Sequence, residues 1–281
     1  GYFTEYLDRG MSFEDLAKER KKQLAEISRL RGGRAVLVFA ADLQKGHSNI
    51  SMSYPDLLAL NDQLANLQGD KIDLILETPG GSGEVAEEIV RQIRGKFAEV
   101  GVIVPGWAKS AGTLITMAAD EILMGATSAL GPIDAQIGWQ GKNFSAGELL
   151  DGMQKIKEEV TATGHLNKTY VPILSGISPG ELQRAENAQE FGIKLVEDWL
   201  ARYKFRSWVT HSSTGQPVTQ DERRERAHQI ASQLRNHRVW LTHGRSIKIA
   251  DLQEMRLLVT DITQSAALNE AVMRYYTLLQ M

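Results

Sequence analysis

The sequence has no cysteine, few aromatic residues and no long apolar run. The absence of cysteine from 281 residues excludes thiol catalysis, disulfide bonds and thiolate metal sites. No apolar stretch approaches the length that crosses a bilayer, and the first residues lack the basic-then-apolar pattern of a signal peptide. A net charge of −3 gives no reason to expect nucleic acid as a partner. We therefore expect a cytoplasmic globular protein, for which membrane association is possible but not indicated.

The length of the chain is sufficient for one large domain or two small ones with a substantial core. The first residue is Gly1 rather than Met, which is typical of a trimmed chain. Whether the natural protein has a targeting or membrane segment outside this sequence therefore stays open.

Apolar runs of strand length alternate with helical patterns in the first half of the chain. Near-continuous apolar strands separated by helices indicate a parallel sheet that is covered on both faces. After about residue 140 the pattern is mainly helical, with three capping boxes that begin at Ser145, Ser178 and Thr219. Strands are predicted at residues 35–40, 72–76, 100–104 and 122–124, with a returning strand at 257–262.

These patterns predict three regions. Residues 1–33 form an N-terminal amphipathic helix, and residues 34–140 form an α/β catalytic core. Residues 141–281 form a mainly helical C-terminal region that contains the returning strand and is expected to mediate oligomerisation.

Two short segments each follow an apolar run and each open a helical pattern. In the first, Gly80 and Gly81 allow backbone N–H groups to approach a substrate carbonyl closely. In the second, Ser110 offers a hydroxyl at a strand-to-helix turn, and the N–H of Ala111 is a second donor. A hydroxyl nucleophile and a pair of N–H groups are the minimum apparatus for acyl transfer, because the tetrahedral intermediate needs both.

Either segment alone also has an ordinary structural interpretation. A Gly-Gly pair after a strand is common at plain turns, and a serine before a helix can simply cap it. The occurrence of both segments in a strand–helix–strand–helix setting favours the functional interpretation.

An ordered set of segments resembles the ClpP-class serine peptidases, most of all the serine dehydrogenase proteinase family, relatives of signal peptide peptidase A. The resemblance covers roughly residues 20 to 140. It implies a ClpP/crotonase-like fold of repeated ββα units and a serine endopeptidase without a cofactor, acting on peptides or unfolded proteins as a homo-oligomer. It also implies Ser110 as nucleophile and an oxyanion hole from Gly80, Gly81 and Ala111. The segments are Arg29-Leu30-Arg31-Gly32-Gly33-Arg34, Asp73-Leu74-Ile75-Leu76, Thr78-Pro79-Gly80-Gly81, Lys109-Ser110-Ala111-Gly112-Thr113-Leu114-Ile115, Ala119-Asp120-Glu121-Ile122 and Leu130-Gly131-Pro132-Ile133-Asp134.

The general base is where this chain departs from the family pattern. ClpP uses a histidine near the position of residues 130–134, where this chain has Asp134 instead. Relatives of signal peptide peptidase A use a lysine that would fall near residues 178–181, which contain none.

Three residues stay open as the base. Lys155 and Lys157 lie on the predicted helix after Ser145, where solvated lysines are also expected. His243 precedes the returning strand, and with Ser110 and Asp134 it would complete the three residue types of a triad, although it could equally be a turn residue. Lys109 is expected to be an electrostatic neighbour of Ser110, because adjacent side chains usually diverge.

No metal site is predicted, because the remaining histidines share no metal-ligand spacing. Two other functions stay open. A crotonase-like acyl-CoA enzyme would use the same N–H pair to stabilise an enolate, and a non-catalytic ClpP-fold scaffold would have lost its base. The remaining histidines are His47, His165, His211, His228 and His237.

Overall fold

The structure, a computed structural model, describes residues 1–42, 50–139 and 142–281. His47 and the domain boundary predicted between residues 140 and 141 lie outside the described residues. The strands are β1 (Ala35–Ala40), β2 (Lys71–Glu77), β3 (Glu99–Val104), β4 (Trp107–Ala108), β5 (Glu121–Met124), β6 (Ala129–Leu130), β7 (Gln136–Trp139), β8 (Lys142–Ser145) and β9 (Thr260–Asp261). The helices are α1 (Tyr2–Asp8), α2 (Phe13–Leu30), α3 (Asp56–Asn66), α4 (Gly83–Lys96), α5 (Ala111–Met117), α6 (Ala146–Thr163), α7 (Val171–Leu174), α8 (Pro179–Trp199), α9 (Gln220–Arg235), α10 (His237–Trp240), α11 (Ile249–Glu254) and α12 (Ala266–Leu279).

The main sheet has the order β1-β2-β3-β5-β9, and every neighbouring pair in it is parallel. The first four predicted strands are confirmed to within about a residue at each end. The returning strand is also confirmed, but it pairs only over Thr260–Asp261. The Leu257 N–H donates to Leu252 O at 2.9 Å, so residue 257, where the sequence predicts the strand to begin, still belongs to the turn after α11.

Both faces of the sheet are covered by helices, as the apolar strands predict. On one face Ile75, Ile103 and Leu123 are buried in a cluster with Ile27 of α2 and Val272 of α12. Their strand neighbours point to the other face, because successive side chains alternate across a strand. There they join the larger cluster, which also contains buried residues of α3, α4, α5, α8 and α9.

The C-terminal half is mainly helical, and all three predicted capping boxes are confirmed. Ser145, Ser178 and Thr219 cap α6, α8 and α9 respectively. The small ladder of β4 with β6 and the hairpin of β7 with β8 were not predicted, because segments of two to four residues carry little periodicity. In the part of the chain that is described, no helix combines the length and the apolar character of a bilayer span.

Candidate active site

Ser110 lies on a strained turn between β4 and α5. Its backbone has φ 52° and ψ −116°, a conformation that residues with a side chain rarely adopt. Such backbone strain costs on the order of 1–3 kcal/mol and is concentrated at functional sites. Among the described residues, the Ser110 side chain makes no cap hydrogen bond to α5. The strained turn resembles the strand-to-helix turn that exposes a serine nucleophile in α/β-hydrolases.

The glycine turn after β2 runs alongside the Ser110 turn. The Thr78 N–H donates to Trp107 O and the Lys109 N–H donates to Thr78 O, both at 3.0 Å. A β-carbon added at Gly80 would lie 2.7 Å from Ser110 Cβ and 3.3 Å from Ala111 N. Gly80 also has φ +110°, so both its space and its conformation require glycine. The two sequence motifs are therefore in contact.

Backbone hydrogen bonds hold the glycine turn from its other side. The Met52 N–H donates to Gly80 O at 2.8 Å, and the Ser82 N–H donates to Met52 O at 3.1 Å. The N–H of Gly81, which lies between these two bonded groups, has no acceptor within the described ranges. The N–H of Ala111, at the first position of α5, is also left without one. Two unused N–H groups beside a serine hydroxyl can stabilise a developing oxyanion.

A cleft of about 530 Å³ contains these groups, and we call it the Ser110 cleft. Its walls come from the two motifs, from the segment that leads into β7, and from α8. The volume is in the range of pockets that bind small molecules or short peptide segments. The lining residues are Gly81, Ser82, Gly83, Glu84, Ser110, Ala111, Leu114, Ile133, Asp134, Ala135, Gln136, Arg184, Asn187, Ala188, Phe191 and Gly192.

Asp134 lines the Ser110 cleft and is hydrogen-bonded to His243. The distance from His243 Nδ1 to Asp134 Oδ1 is 2.8 Å, and Gln136 Nε2 donates to Asp134 Oδ2, also at 2.8 Å. The Asp134 side chain is only 3% exposed and the His243 side chain is 29% exposed. When Nδ1 donates to the carboxylate, Nε2 is left free to accept a proton. The structure thus pairs two of the predicted site residues that are 109 positions apart.

The two other candidate bases lie elsewhere. Lys155 and Lys157 are both exposed on α6, and neither lines the Ser110 cleft. Exposed ammonium groups stay hydrated, which is the expected state of lysines on the outer face of an amphipathic helix. The structure does not bring either lysine to Ser110.

Three of the remaining described histidines contact a carboxylate. His211, His228 and His237 contact Glu222, Glu197 and Asp151 respectively. In the described ranges, no group of three or more histidine, aspartate or glutamate residues is arranged to hold a metal ion.

Glu77 is a buried residue of the site that sequence reasoning missed. Its Oε2 accepts the Trp107 N–H at 2.9 Å and the Gly106 N–H at 3.1 Å, and Tyr276 Oη donates to its Oε1 at 3.2 Å. Burial raises the pKa of Glu77 to about 7, although these three hydrogen bonds oppose the rise. Glu77 ends β2 and holds the strand that leads to Ser110, so it joins the two motifs. The signal in the sequence was a lone acidic residue at the end of an apolar strand.

The fold and the site together are typical of α/β hydrolytic enzymes with a serine nucleophile. The model of the ClpP-like SDH-type serine proteinase family matches residues 7–166. This match covers more than half of the chain, so the chain belongs to the ClpP-like SDH-type serine proteinases. The family assignment confirms the resemblance stated from the sequence motifs.

Two relatives come from Methanocaldococcus jannaschii. Uncharacterized protein MJ1495 is 30% identical over 187 residues, which are 64% of this chain and 59% of the relative. Uncharacterized protein MJ0137 is 49% identical over 67 residues, which are 24% of this chain and 23% of the relative. The chain therefore spans less than two thirds of the length of either relative.

Two solved structures are similar to this chain at low sequence identity. ClpP1 from Listeria monocytogenes has 12% sequence identity and a TM-score of 0.42, with 86% of this chain and 95% of that chain covered. A mutant of the 1510-N membrane-bound stomatin-specific protease has 20% identity and a TM-score of 0.34, with 56% and 69% covered. Because both TM-scores are below 0.5, the family assignment depends only on the match of the family model to residues 7–166.

Proposed function

We propose that this protein is a serine endopeptidase that hydrolyses peptide bonds through an acyl-enzyme on Ser110. The observation that carries the proposal is the strained Ser110 turn, with two unused N–H groups from Gly81 and Ala111 beside it. A plain turn or a simple helix cap does not need this backbone strain. Membership of a serine proteinase family supports the same reaction class.

In the first half of the reaction, Ser110 Oγ attacks the substrate carbonyl carbon as its proton passes to a base. The carbonyl oxygen becomes an oxyanion, which accepts hydrogen bonds from the N–H groups of Gly81 and Ala111. When the tetrahedral intermediate collapses, the peptide C–N bond breaks and the amine leaves with the proton held by the base. A water molecule then attacks the acyl-enzyme by the same route and releases the acid.

We propose His243 as the base and Asp134 as the carboxylate that orients it. Asp134 lines the Ser110 cleft and accepts from His243 Nδ1, which directs the free Nε2 to proton transfer. Hydrogen bonds between nucleophile and base are often long in a free enzyme and shorten when substrate binds. This proposal selects His243 over Lys155 and Lys157, because His243 is hydrogen-bonded to Asp134, which lines the cleft, whereas both lysines are exposed on α6.

The proposed substrates are peptides or unfolded protein segments, and the proposed location is the cytoplasm. Apolar side chains of Leu114, Ile133 and Phe191 line the Ser110 cleft among polar groups, which suits a peptide with both kinds of side chain. We also keep residues 34–140 as the catalytic core and residues 141–281 as the region that mediates homo-oligomerisation. Exposed apolar residues in the C-terminal region support self-association there, and sedimentation velocity would measure it. They are Leu166, Val171, Ile173, Val209, Val239, Leu241 and Leu258.

The test is covalent labelling by a fluorophosphonate probe, with mass spectrometry to locate the adduct. We expect the probe to label Ser110 in the natural protein and not to label Ser110→Ala. Ser82→Ala is a matched control, because Ser82 also lines the Ser110 cleft but serves as the cap of α4. Absence of labelling on folded natural protein, or labelling that persists in Ser110→Ala, would contradict the proposal.

A further inference from the structure

The side chain of Lys109, the residue before Ser110, is surrounded by oxygen atoms. Its Nζ lies 3.1 Å from Leu130 O, 3.0 Å from Arg245 O, 3.0 Å from Ser246 Oγ and 3.4 Å from Gly244 O. An ammonium group has three N–H donors and no acceptor. These four acceptors therefore occupy the whole donor capacity of Lys109.

The acceptors come from the two segments that carry the proposed partners of Ser110. Leu130 lies four residues before Asp134, and residues 244–246 directly follow His243. The two segments already contact each other, because the Leu130 N–H donates to Ile247 O at 2.9 Å and the Ile247 N–H donates to Leu130 O at 3.0 Å. Lys109 connects this paired unit to the turn that carries the nucleophile.

The rest of Lys109 is also fixed in place. Its backbone N–H donates to Thr78 O at 3.0 Å, and its backbone oxygen accepts the Gly112 N–H at 2.8 Å. A β-carbon added at Gly131 would lie 2.8 Å from Lys109 Cδ, so the lysine stem crosses the space left by that glycine. The path of the side chain from the Ser110 turn to the partner segments is thus determined by packing.

Burial of Lys109 lowers its pKa, and the nearby positive charge of Lys248 lowers it further. A lysine with a lowered pKa is a common kind of catalytic base. Here, however, the donors of the ammonium group are already bound to the partner segments. The geometry therefore favours a structural link over direct proton transfer from Ser110.

We infer that Lys109 is a positioning residue, which ties the Asp134 and His243 segments to the Ser110 turn and so sets the alignment of base and nucleophile. This inference rests on the proposed function, in which His243 is the base. Lys109 contacts neither substrate nor the reacting atoms in this role. A displacement of about 1 Å between reacting groups can cost about a hundredfold in rate.

The experiment measures the second-order rate constant of fluorophosphonate labelling at Ser110. Lys109→Met keeps the stem but removes the charge and the donors, and we expect the rate constant to fall about a hundredfold. Lys109→Arg keeps donors for the same carbonyl groups, so part of the rate should return. The matched control is Lys96→Met, since Lys96 also donates to two backbone oxygens, Leu64 O and Ala65 O, but contacts neither partner segment at those atoms. We expect this control to stay within about twofold.

A double-mutant cycle separates positioning from a general loss of structure. In a His243→Ala background, Lys109→Met should change the remaining rate by less than about threefold, because the base that it aligns is gone. An equal loss in both backgrounds, or no loss in the natural background, would overturn the inference and leave the proposed function standing. If the natural protein does not label at Ser110 at all, the proposed function fails and the inference fails with it. Thermal melting of each variant excludes unfolding as the cause.

Discussion

The two sides of the Ser110 cleft are built in different ways. The nucleophile side consists of two short turns that follow neighbouring strands and are joined by backbone hydrogen bonds, such as the one from the Lys109 N–H to Thr78 O. The base side consists of Asp134 and His243, which are 109 positions apart and meet through a side-chain contact. The geometry of the nucleophile side is set by the backbone and depends on strand order and glycine conformation. The geometry of the base side is set by side chains and depends on how distant segments pack.

This difference affects how each side should respond to substitution. Backbone contacts persist when a side chain is changed, unless the new side chain occupies the space of a neighbour. A pair of side chains is lost when either member is changed. We therefore expect the base side to be sensitive to conservative changes, and the nucleophile side to be sensitive mainly to added volume.

The largest effect is expected on the base side. Asp134→Asn and His243→Ala should each lower kcat/KM for peptide hydrolysis by about 10⁴-fold, because the base is misaligned in one and absent in the other. His165→Ala is the control, since His165 is exposed and its ring contacts the backbone oxygen of Thr163. Steady-state kinetics on a fluorogenic peptide would measure the losses. Unchanged activity in His243→Ala would remove His243 as the base.

A smaller loss is expected from added volume on the nucleophile side. A β-carbon at Gly80 would lie 2.7 Å from Ser110 Cβ at a backbone φ of +110°, so Gly80→Ala must displace the turn. Because this displaces oxyanion donors, kcat should fall about 10²- to 10³-fold. The control is Gly95→Ala in α4, where an added β-carbon meets nothing within 4 Å. If Gly80→Ala is as active as Gly95→Ala, the turn does not supply the oxyanion hole.

Glu77, which joins the two motifs, should make the stability of the protein depend on pH. The folded protein holds the Glu77 proton up to a pKa of about 7, while the unfolded chain releases it near 4.5. The stabilisation from this proton is therefore complete below pH 4.5 and is lost as the pH rises to 7, an effect of up to about 3 kcal/mol. Glu77→Gln keeps an acceptor for the Gly106 and Trp107 N–H groups and should abolish this dependence.

Urea unfolding of both proteins between pH 4.5 and 7.5 measures the effect. The stability of Glu77→Gln relative to the natural protein should increase as the pH rises. Glu186→Gln, at an exposed position of α8, is the control and should show no such trend. A constant difference between Glu77→Gln and the natural protein across this range would contradict a buried, protonated Glu77.

The smallest effect is expected for the two lysines of α6. Both Lys155 and Lys157 are exposed and lie outside the Ser110 cleft, so Lys155→Met and Lys157→Met should each change kcat/KM by no more than about twofold. The same peptide assay would detect a larger effect. A loss of activity in either variant would assign the base to α6. It would also contradict the view that Asp134 and His243 form the base side of the cleft.

Much of the fold was predictable because its determinants are local. The apolar runs of β1, β2, β3 and β5 are continuous, since both faces of the sheet are buried, and their ends fall close to where the sequence places them. The capping boxes at Ser145, Ser178 and Thr219 are likewise set by residues three positions apart. By contrast, only two residues of the returning strand form a ladder, because tertiary contacts determine where pairing begins.

The sequence by itself determined the strand–turn–helix units that contain Gly80, Gly81 and Ser110, because short-range periodicity and turn chemistry specify such units. Only the tertiary structure decided that His243 meets Asp134, that Lys109 bridges to residues 244–246, and that Glu77 is buried beneath both turns. These contacts join positions 30 to 137 residues apart. Their formation depends on packing of the whole chain, for which no local pattern carries a signal.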